Sequence, residues 1–309
     1  MKKNLIYLIP VLFLLFASCA KEPVITSIDA VVDGYTVTFS AVVTDATEYS
    51  WDFGDGGTSI EAAPVHTYTM SGTFTAKLTA TGKGGEITSS KEVKILPSFT
   101  EMLSGGPAAT NGKTWVLSSA YTAGVDGASV VDNSMMVLLA SAENILTVIG
   151  LGEEYDNEYT FYSDGRYKMD NKNGTSLATY FYSLGKGIVT SAGNANNSIG
   201  LCAATFVPPA SATWALHTDN LVVEAIINPT GTDVPAPHES RTISGKKWVS
   251  LSEGAYFGIL DATATRKFVV KEITPDKMSV ALFICGYYLD PAALEIPSFL
   301  YHLTFVTKK

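Results

Sequence analysis

Tyr49-Ser50-Trp51-Asp52-Phe53-Gly54-Asp55-Gly56-Gly57 is the stretch that decides the fold of the first part of the chain. Tyr49, Trp51 and Phe53 recur at period two, which puts three large apolar rings on one face of a β-strand. The Gly-Asp-Gly-Gly run behind them supplies the positive φ values of a tight turn. The pattern repeats on both sides. Tyr35, Val37, Phe39, Ala41 and Val43 alternate mostly with Thr and Ser, as do Phe74, Ala76, Leu78 and Ala80. Short alternating strands divided by turn residues predict a small β-sandwich over residues 24–97. Asp52 and Asp55 fall where a carboxylate hydrogen-bonds the turn backbone, so they are read as turn formers and not as metal ligands.

Three blocks in this region carry a resemblance. Residues 49–56, then Pro64-Val65-His66-Thr67-Tyr68, then Ser71-Gly72-Thr73-Phe74-Thr75-Ala76-Lys77-Leu78 resemble the PKD domain in order and spacing. The resemblance implies an Ig-like sandwich with Trp51 in its core and Tyr68 tied near a corner. It also implies a spacer or interaction module without chemistry of its own.

The whole chain has 309 residues, 46% of them apolar and 17% charged, with a formal net charge of −9. This much apolar surface excludes disorder as the main state. With 21 Lys and Arg against 30 Asp and Glu there is no basic stripe for a phosphate backbone, so no nucleic-acid partner is expected. Helical apolar repeats are missing, which argues against a bundle or coiled coil.

Upstream, Lys2 and Lys3 precede an apolar run from Leu5 to Phe16. That run is too short for a bilayer core, which needs about 20 residues, and reads as a signal peptide over residues 1–18. Phe16-Ala17-Ser18-Cys19 resembles a bacterial lipobox, with Phe16 a departure from the usual aliphatic residue. The resemblance implies cleavage before Cys19, acylation of its thiol, and residues 19–23 as a tether to the membrane. An ordinary cleaved signal with an incidental Cys is the alternative. Of the two remaining cysteines, Cys202 and Cys285 both sit in apolar surroundings and are expected buried and free, although a disulfide is open to them.

Downstream, residues 98–111 lack periodicity and read as a linker. Residues 112–309 resume strand patterns and predict a larger β-sandwich or jelly roll, so that the whole chain is all-β. Apolar runs at Met135–Leu139, Ile145–Ile149, Phe268–Ile273, Met278–Ile284 and Tyr301–Val306 are strand candidates, with Val222–Ile227. Asp164-Gly165 and Asn173-Gly174 read as hairpin turns, the second returning through Ala178–Leu184. Gly112-Lys-Thr-Trp115-Val and Gly245-Lys-Lys-Trp248-Val each open a strand. Together with Tyr155–Tyr167, Phe268–Met278 and Tyr301–Val306, the Trp115 pentad resembles the C-terminal domains of PKD-containing surface lipoproteins of starch-utilisation-type uptake systems. That resemblance implies non-catalytic binding of polysaccharide or oligosaccharide, an outer-membrane and surface-exposed location, and outer-membrane glycan transporter components as partners.

The rival reading is enzymatic. Glu154, Asp156 and Glu158 alternate, and on a strand they would share one face. This resembles the E-x-D-x-E strand of glycoside hydrolase family 16, in which nucleophile and acid/base lie about 5–5.5 Å apart. Against it, the intervening Tyr155 and Asn157 are not apolar and the neighbouring tryptophans are missing. The four His residues form no metal spacing, Gly-x-Ser-x-Gly is absent, and Lys172 spoils Asp170–Gly174 as a calcium loop. No metal and no cofactor are therefore expected. Sugar contacts need rings beside loops. Trp214, Tyr256, Phe257, Tyr287 and Tyr288 are the candidates, each with core packing as the alternative. An adhesin or structural surface protein is the third reading.

Overall fold

The computed structural model describes residues 21–228, 234–262, 266–285 and 293–308. The chain divides into two compact units, one ending at Pro97 and the other starting at Ser98.

The first unit holds seven strands: β1 (Val24–Asp33), β2 (Thr36–Thr44), β3 (Glu48–Asp52), β4 (Thr58–Ser59), β5 (Val65–Thr67), β6 (Gly72–Gly82) and β7 (Gly85–Ile95). They form two sheets, ordered β1-β2-β5 and β4-β3-β6-β7. Phe39, Trp51, Phe53, Tyr68, Ala76 and Leu78 fill the core between them, the inward half of each alternating pattern. The turn after β3 is built as its residues predict. Asp52 accepts from the Gly54 amide and Asp55 from the Gly57 amide, both at 2.9 Å. Gly54 has φ +83°, and a Cβ there would stand 2.8 Å from the Thr75 carbonyl oxygen, so only glycine fits. The Tyr68 hydroxyl donates to the Phe53 carbonyl at 3.0 Å, which ties the corner.

The second unit opens with helix α1 (Phe99–Ser104) and continues through β8 (Lys113–Leu117), β9 (Gly127–Ser129), β10 (Leu139–Ala140), α2 (Ile145–Val148), a 3-10 turn (Gly152–Asp156), β11 (Glu158–Phe161), β12 (Arg166–Asp170), β13 (Thr175–Thr179) and α3 (Tyr180–Lys186). There follow β14 (Val189–Ser191), β15 (Leu201–Thr205), β16 (Ala212–His217), β17 (Leu221–Ile226), β18 (His238–Ile243), β19 (Lys247–Leu251), β20 (Lys267–Ile273), β21 (Lys277–Ile284) and β22 (Phe299–Thr307). Eight of these strands pair antiparallel in chain order, β8-β11-β12-β16-β19-β20-β21-β22, and β22 returns to pair with β8 through Phe305↔Leu117 and Val306↔Val116. The larger β domain is thus a closed up-and-down ring, which leaves these eight strands no common open edge.

An eight-stranded ring is just wide enough to be filled by side chains. Trp115, Tyr159, Phe161, Tyr167, Phe268, Leu282 and Phe305 point inward. The connection from β19 to β20 enters among them: Phe257 packs on Phe268 at 4.5 Å and Phe305 at 4.3 Å between ring centroids. Two wall tyrosines satisfy its carbonyls, Tyr159 donating to Gly258 and Tyr167 to Tyr256. Gly258 takes φ +73°, and a Cβ on it would meet Phe305 and Leu282 at 2.9 and 3.0 Å. Residues 252–262 are therefore a plug made by the chain itself. On the outer side Trp248, Val269, Ala281, Phe283 and Leu300 form a second cluster under Leu221, Ala225 and Ile243 of the β17–β18 hairpin. Burial on both faces explains why β20 and β21 read as continuous apolar runs.

Several sequence expectations are corrected. Residues 98–111 are not a free linker: Ser98 caps α1 by accepting from the Glu101 amide at 3.1 Å, and Leu103 is buried in the core of the second unit. Trp115 Nε1 donates to the Leu103 carbonyl at 2.8 Å, so the segment is pinned to β8. Ile145–Ile149 is helical over Ile145–Val148 instead of a strand, and only Leu139 of Met135–Leu139 joins one. Asn173-Gly174 does not close a hairpin between neighbours in the ring. β13 leaves to pair with β15, and the expected return is helix α3 from Tyr180 on.

Candidate functional site

The acidic triplet is not aligned on a strand. Residues 152–156 wind as the 3-10 turn and β11 begins only at Glu158, so the three carboxylates take three separate environments. Glu154 is buried, with Oε2 accepting from Asn157 Nδ2 at 2.6 Å and Oε1 from the Thr175 hydroxyl at 2.7 Å. Burial raises its pKa, and these two hydrogen bonds partly offset the rise. Asp156 is exposed. Glu158 is held by Lys172 at 3.1 Å and by Lys308. The E-x-D-x-E arrangement of a retaining glycosidase is not formed here.

The aromatic candidates in view are core residues. Trp214 is only 9% exposed, with Nε1 donating to the Tyr162 carbonyl at 2.9 Å and its ring edge-on to Phe161. Tyr256 and Phe257 belong to the plug and are buried. Burial inside the ring corrects all three as sugar-stacking rings. Tyr287 and Tyr288 lie outside the described residues, as does Cys19. Cys202 and Cys285 are both buried, with no disulfide between them.

Among the described residues the most exposed Phe, Tyr or Trp ring lies on α3. Phe181 is 40% exposed, edge-on to half-buried Tyr180 at 5.8 Å, with half-buried Tyr182 next in sequence and Leu184 exposed one turn on. The Tyr180 amide donates to the Gly200 carbonyl at 2.9 Å, which fixes the start of the helix against the chain leading into β15.

Beside the plug, one end of the ring holds a cavity of about 360 Å3. Leu117, Ile259, Phe299 and Leu303 form its inner wall, and Leu146 of α2 with Tyr155 of the 3-10 turn closes one side. The Tyr155 hydroxyl accepts from the Leu146 amide at 3.2 Å, which holds these two segments together. Within Glu154–Glu158, the residue that reaches a cavity is the tyrosine.

Two buried polar groups were invisible in the sequence because their partners are distant. His302 on β22 has Nε2 2.8 Å from the Ser129 hydroxyl and Nδ1 3.3 Å from Lys271 Nζ. A serine beside a histidine suggests a nucleophile, but the third partner is a cation. Burial first, and Lys271 second, push the imidazole down to about 4, which makes it a poor base. Lysine can only donate, so Nδ1 is the acceptor and Nε2–H donates to the serine. The pair pins the 122–132 segment across β22. Asp261, at the end of the plug, accepts from the Cys285 amide at 2.7 Å, the Ala262 amide at 2.8 Å and the Thr179 hydroxyl at 2.9 Å. Burial nevertheless raises it to about 6. Among the described residues no three His, Cys, Asp or Glu side chains converge as a metal site. No helix there is long and apolar enough to cross a membrane.

Residues 20–96 match the family model described as PKD domain, and this segment is a PKD domain. It is similar to collagenase ColA of Clostridium perfringens, at 47% identity over 49 residues, which are 16% of this chain and 4% of the collagenase. Among solved structures, the PKD1 domain of Vibrio anguillarum Epp is 30% identical and covers 26% of this chain and 99% of its own, with TM-score 0.24. The PKD1 domain of the Vibrio cholerae metalloprotease PrtV is 34% identical and covers 24% and 98%, with TM-score 0.23. A structure from work on the promiscuous specificity of carbohydrate-binding modules of the β-sandwich superfamily spans 94% of this chain and 92% of its own. It is 11% identical with TM-score 0.26, an overlay too loose to define either domain. In class, then, the chain joins a PKD domain to a plugged, eight-stranded β-ring domain.

Proposed function

We propose that this chain is a lipid-anchored protein of a bacterial cell envelope that captures carbohydrate without cleaving it. Acylation at Cys19 would hold it at the outer membrane with the PKD domain as spacer, facing outward beside glycan transporter components. The observation that supports binding over turnover is the fate of the acidic triplet. Hydrolysis with retention needs two facing carboxyl groups, one proton donor and one nucleophile. Here Glu154 has both oxygens occupied inside the protein, and Glu158 is neutralised by two lysines. Support for a sugar-contacting surface comes from α3, where Phe181, 40% exposed, is the kind of ring that packs on the apolar face of a pyranose.

Electrophoresis of the full chain through native gels loaded with soluble glucans, mannans and host-type glycans tests this reading. Retardation by at least one polymer is expected, weakened by Phe181→Ala and kept by Glu154→Gln. Reducing ends released by wild type but not by Glu154→Gln would transfer the assignment to a glycosidase. No retardation across the panel would leave an adhesin.

A further inference from the structure

The cavity beside the plug is a second, separate place where this molecule can take a ligand. Its volume, about 360 Å3, lies in the range of small-molecule pockets, and the mouth of a β-barrel is a common site for one. Its chemistry is one-sided. Among the described residues no Lys, Arg or His lines it, and the one carboxylate there, Asp126, is spoken for: Oδ1 accepts from the Thr304 hydroxyl at 2.6 Å and Oδ2 from the Thr122 amide at 2.8 Å. Of the three tyrosines in its wall, Tyr301 donates its hydroxyl to the Ile199 carbonyl at 2.8 Å and Tyr155 accepts from the Leu146 amide, while half-buried Tyr121 sits at the rim beside exposed Ser119 and Ala120. A free hexose buried there would lose its water bonds and find few replacements. A charged headgroup would find no counter-ion.

We propose that this cavity binds an uncharged, mostly apolar small molecule, its polar end at the serine-lined rim. Ser119, Ala142 and Ser198 are exposed and mark that rim. Size follows from volume. A cavity of about 150 Å3 holds benzene, so this one holds roughly fourteen non-hydrogen atoms by proportion. The site is distinct from α3 and does not depend on the carbohydrate reading, since its ligand carries no sugar.

The test uses the full chain and a series of 1-alkanols from hexanol to tetradecanol, with the matched fatty-acid anions as controls, read by titration calorimetry. Affinity should rise about fourfold per added methylene, then level off near thirteen or fourteen non-hydrogen atoms. Each anion should bind at least tenfold more weakly than its alcohol at neutral pH. Ala140→Trp and Ala142→Trp, both at exposed positions of the lining, should weaken the best alkanol tenfold or more while leaving glycan retardation unchanged. Two rim variants keep the test alive if one does not fold. No length dependence, equal binding of alcohol and anion, or undiminished binding by two folded rim variants would each overturn the proposal.

Discussion

Replacing His302 with Gln should alter the pH dependence of stability in a way that can be worked out from its surroundings. In the folded chain the imidazole titrates near 4, against an ordinary value of 6.5, because it is wholly buried and faces Lys271, with Asp132 a weaker opposing influence. A depressed histidine pKa means that the folded state prefers the neutral ring. That preference is fully present above pH 6.5 and is withdrawn as the pH falls toward 4. At about 1.4 kcal/mol per pH unit the loss approaches 3 kcal/mol. Asp261 acts with the opposite sign. Its folded pKa is raised from 3.8 to about 6, so its contribution is full below 3.8 and is lost as the pH rises through 6, again by about 3 kcal/mol. Between pH 7 and pH 4 the two nearly cancel. Removing one exposes the other. Relative to wild type, His302→Gln should gain about 3 kcal/mol on going from pH 7 to pH 4, and Asp261→Asn should lose a similar amount. Urea unfolding of the full chain at pH 7, 5.5 and 4, followed by circular dichroism, measures both differences, and the PKD transition common to all chains drops out. A wild-type-minus-variant difference that stays constant with pH for either substitution would refute the buried-network reasoning.

Three further outcomes are expected. Trp51→Ala should remove about 3–5 kcal/mol from the PKD domain and make residues 21–97 the first cleaved in limited proteolysis, because the ring is fully buried and its Nε1 is bonded to the Glu61 carbonyl. A fragment starting at Ser98 should withstand more urea than one starting at Gly112, since the shorter one loses buried Leu103 and leaves the Trp115 indole without an acceptor, together about 3–5 kcal/mol. Cys19→Ala should move the protein from the membrane pellet to the soluble or unprocessed fraction, and an unmodified Cys19 thiol in the intact mass of native protein would remove the anchor from the proposal.

The PKD domain was legible residue by residue, because its core residues alternate on strands whose turns are set by Asp and Gly close in sequence. The second domain was legible as all-β, but not as a closed ring. The pairing that closes it joins β8 to β22 across most of the domain, and no local pattern carries such a contact. Ile145–Ile149 is a short apolar run, which periodicity cannot assign to strand or helix. Residues 98–105 did carry a signal, Ser98-Phe-Thr-Glu101 with Gly105 behind it, the mark of a capped helix that a reading of the stretch as linker passes over. Tyr256 and Phe257 follow Glu253-Gly254 as an exposed loop would, and only the ring around them shows that the loop turns inward. Glu154 is decided by Thr175, 21 residues on and beyond both β11 and β12, which no reading of the triplet alone contains.

Carbohydrate capture without turnover can be put to a single decisive trial: the full chain is incubated with defined oligosaccharides of the polymer that retards it, and binding by calorimetry and chain length by mass spectrometry are measured on one sample. The account predicts a dissociation constant in the micromolar-to-millimolar range, about −4 to −8 kcal/mol, with every oligosaccharide recovered at its starting length. Shortened products, or no heat of binding for an oligosaccharide of that polymer, would contradict it.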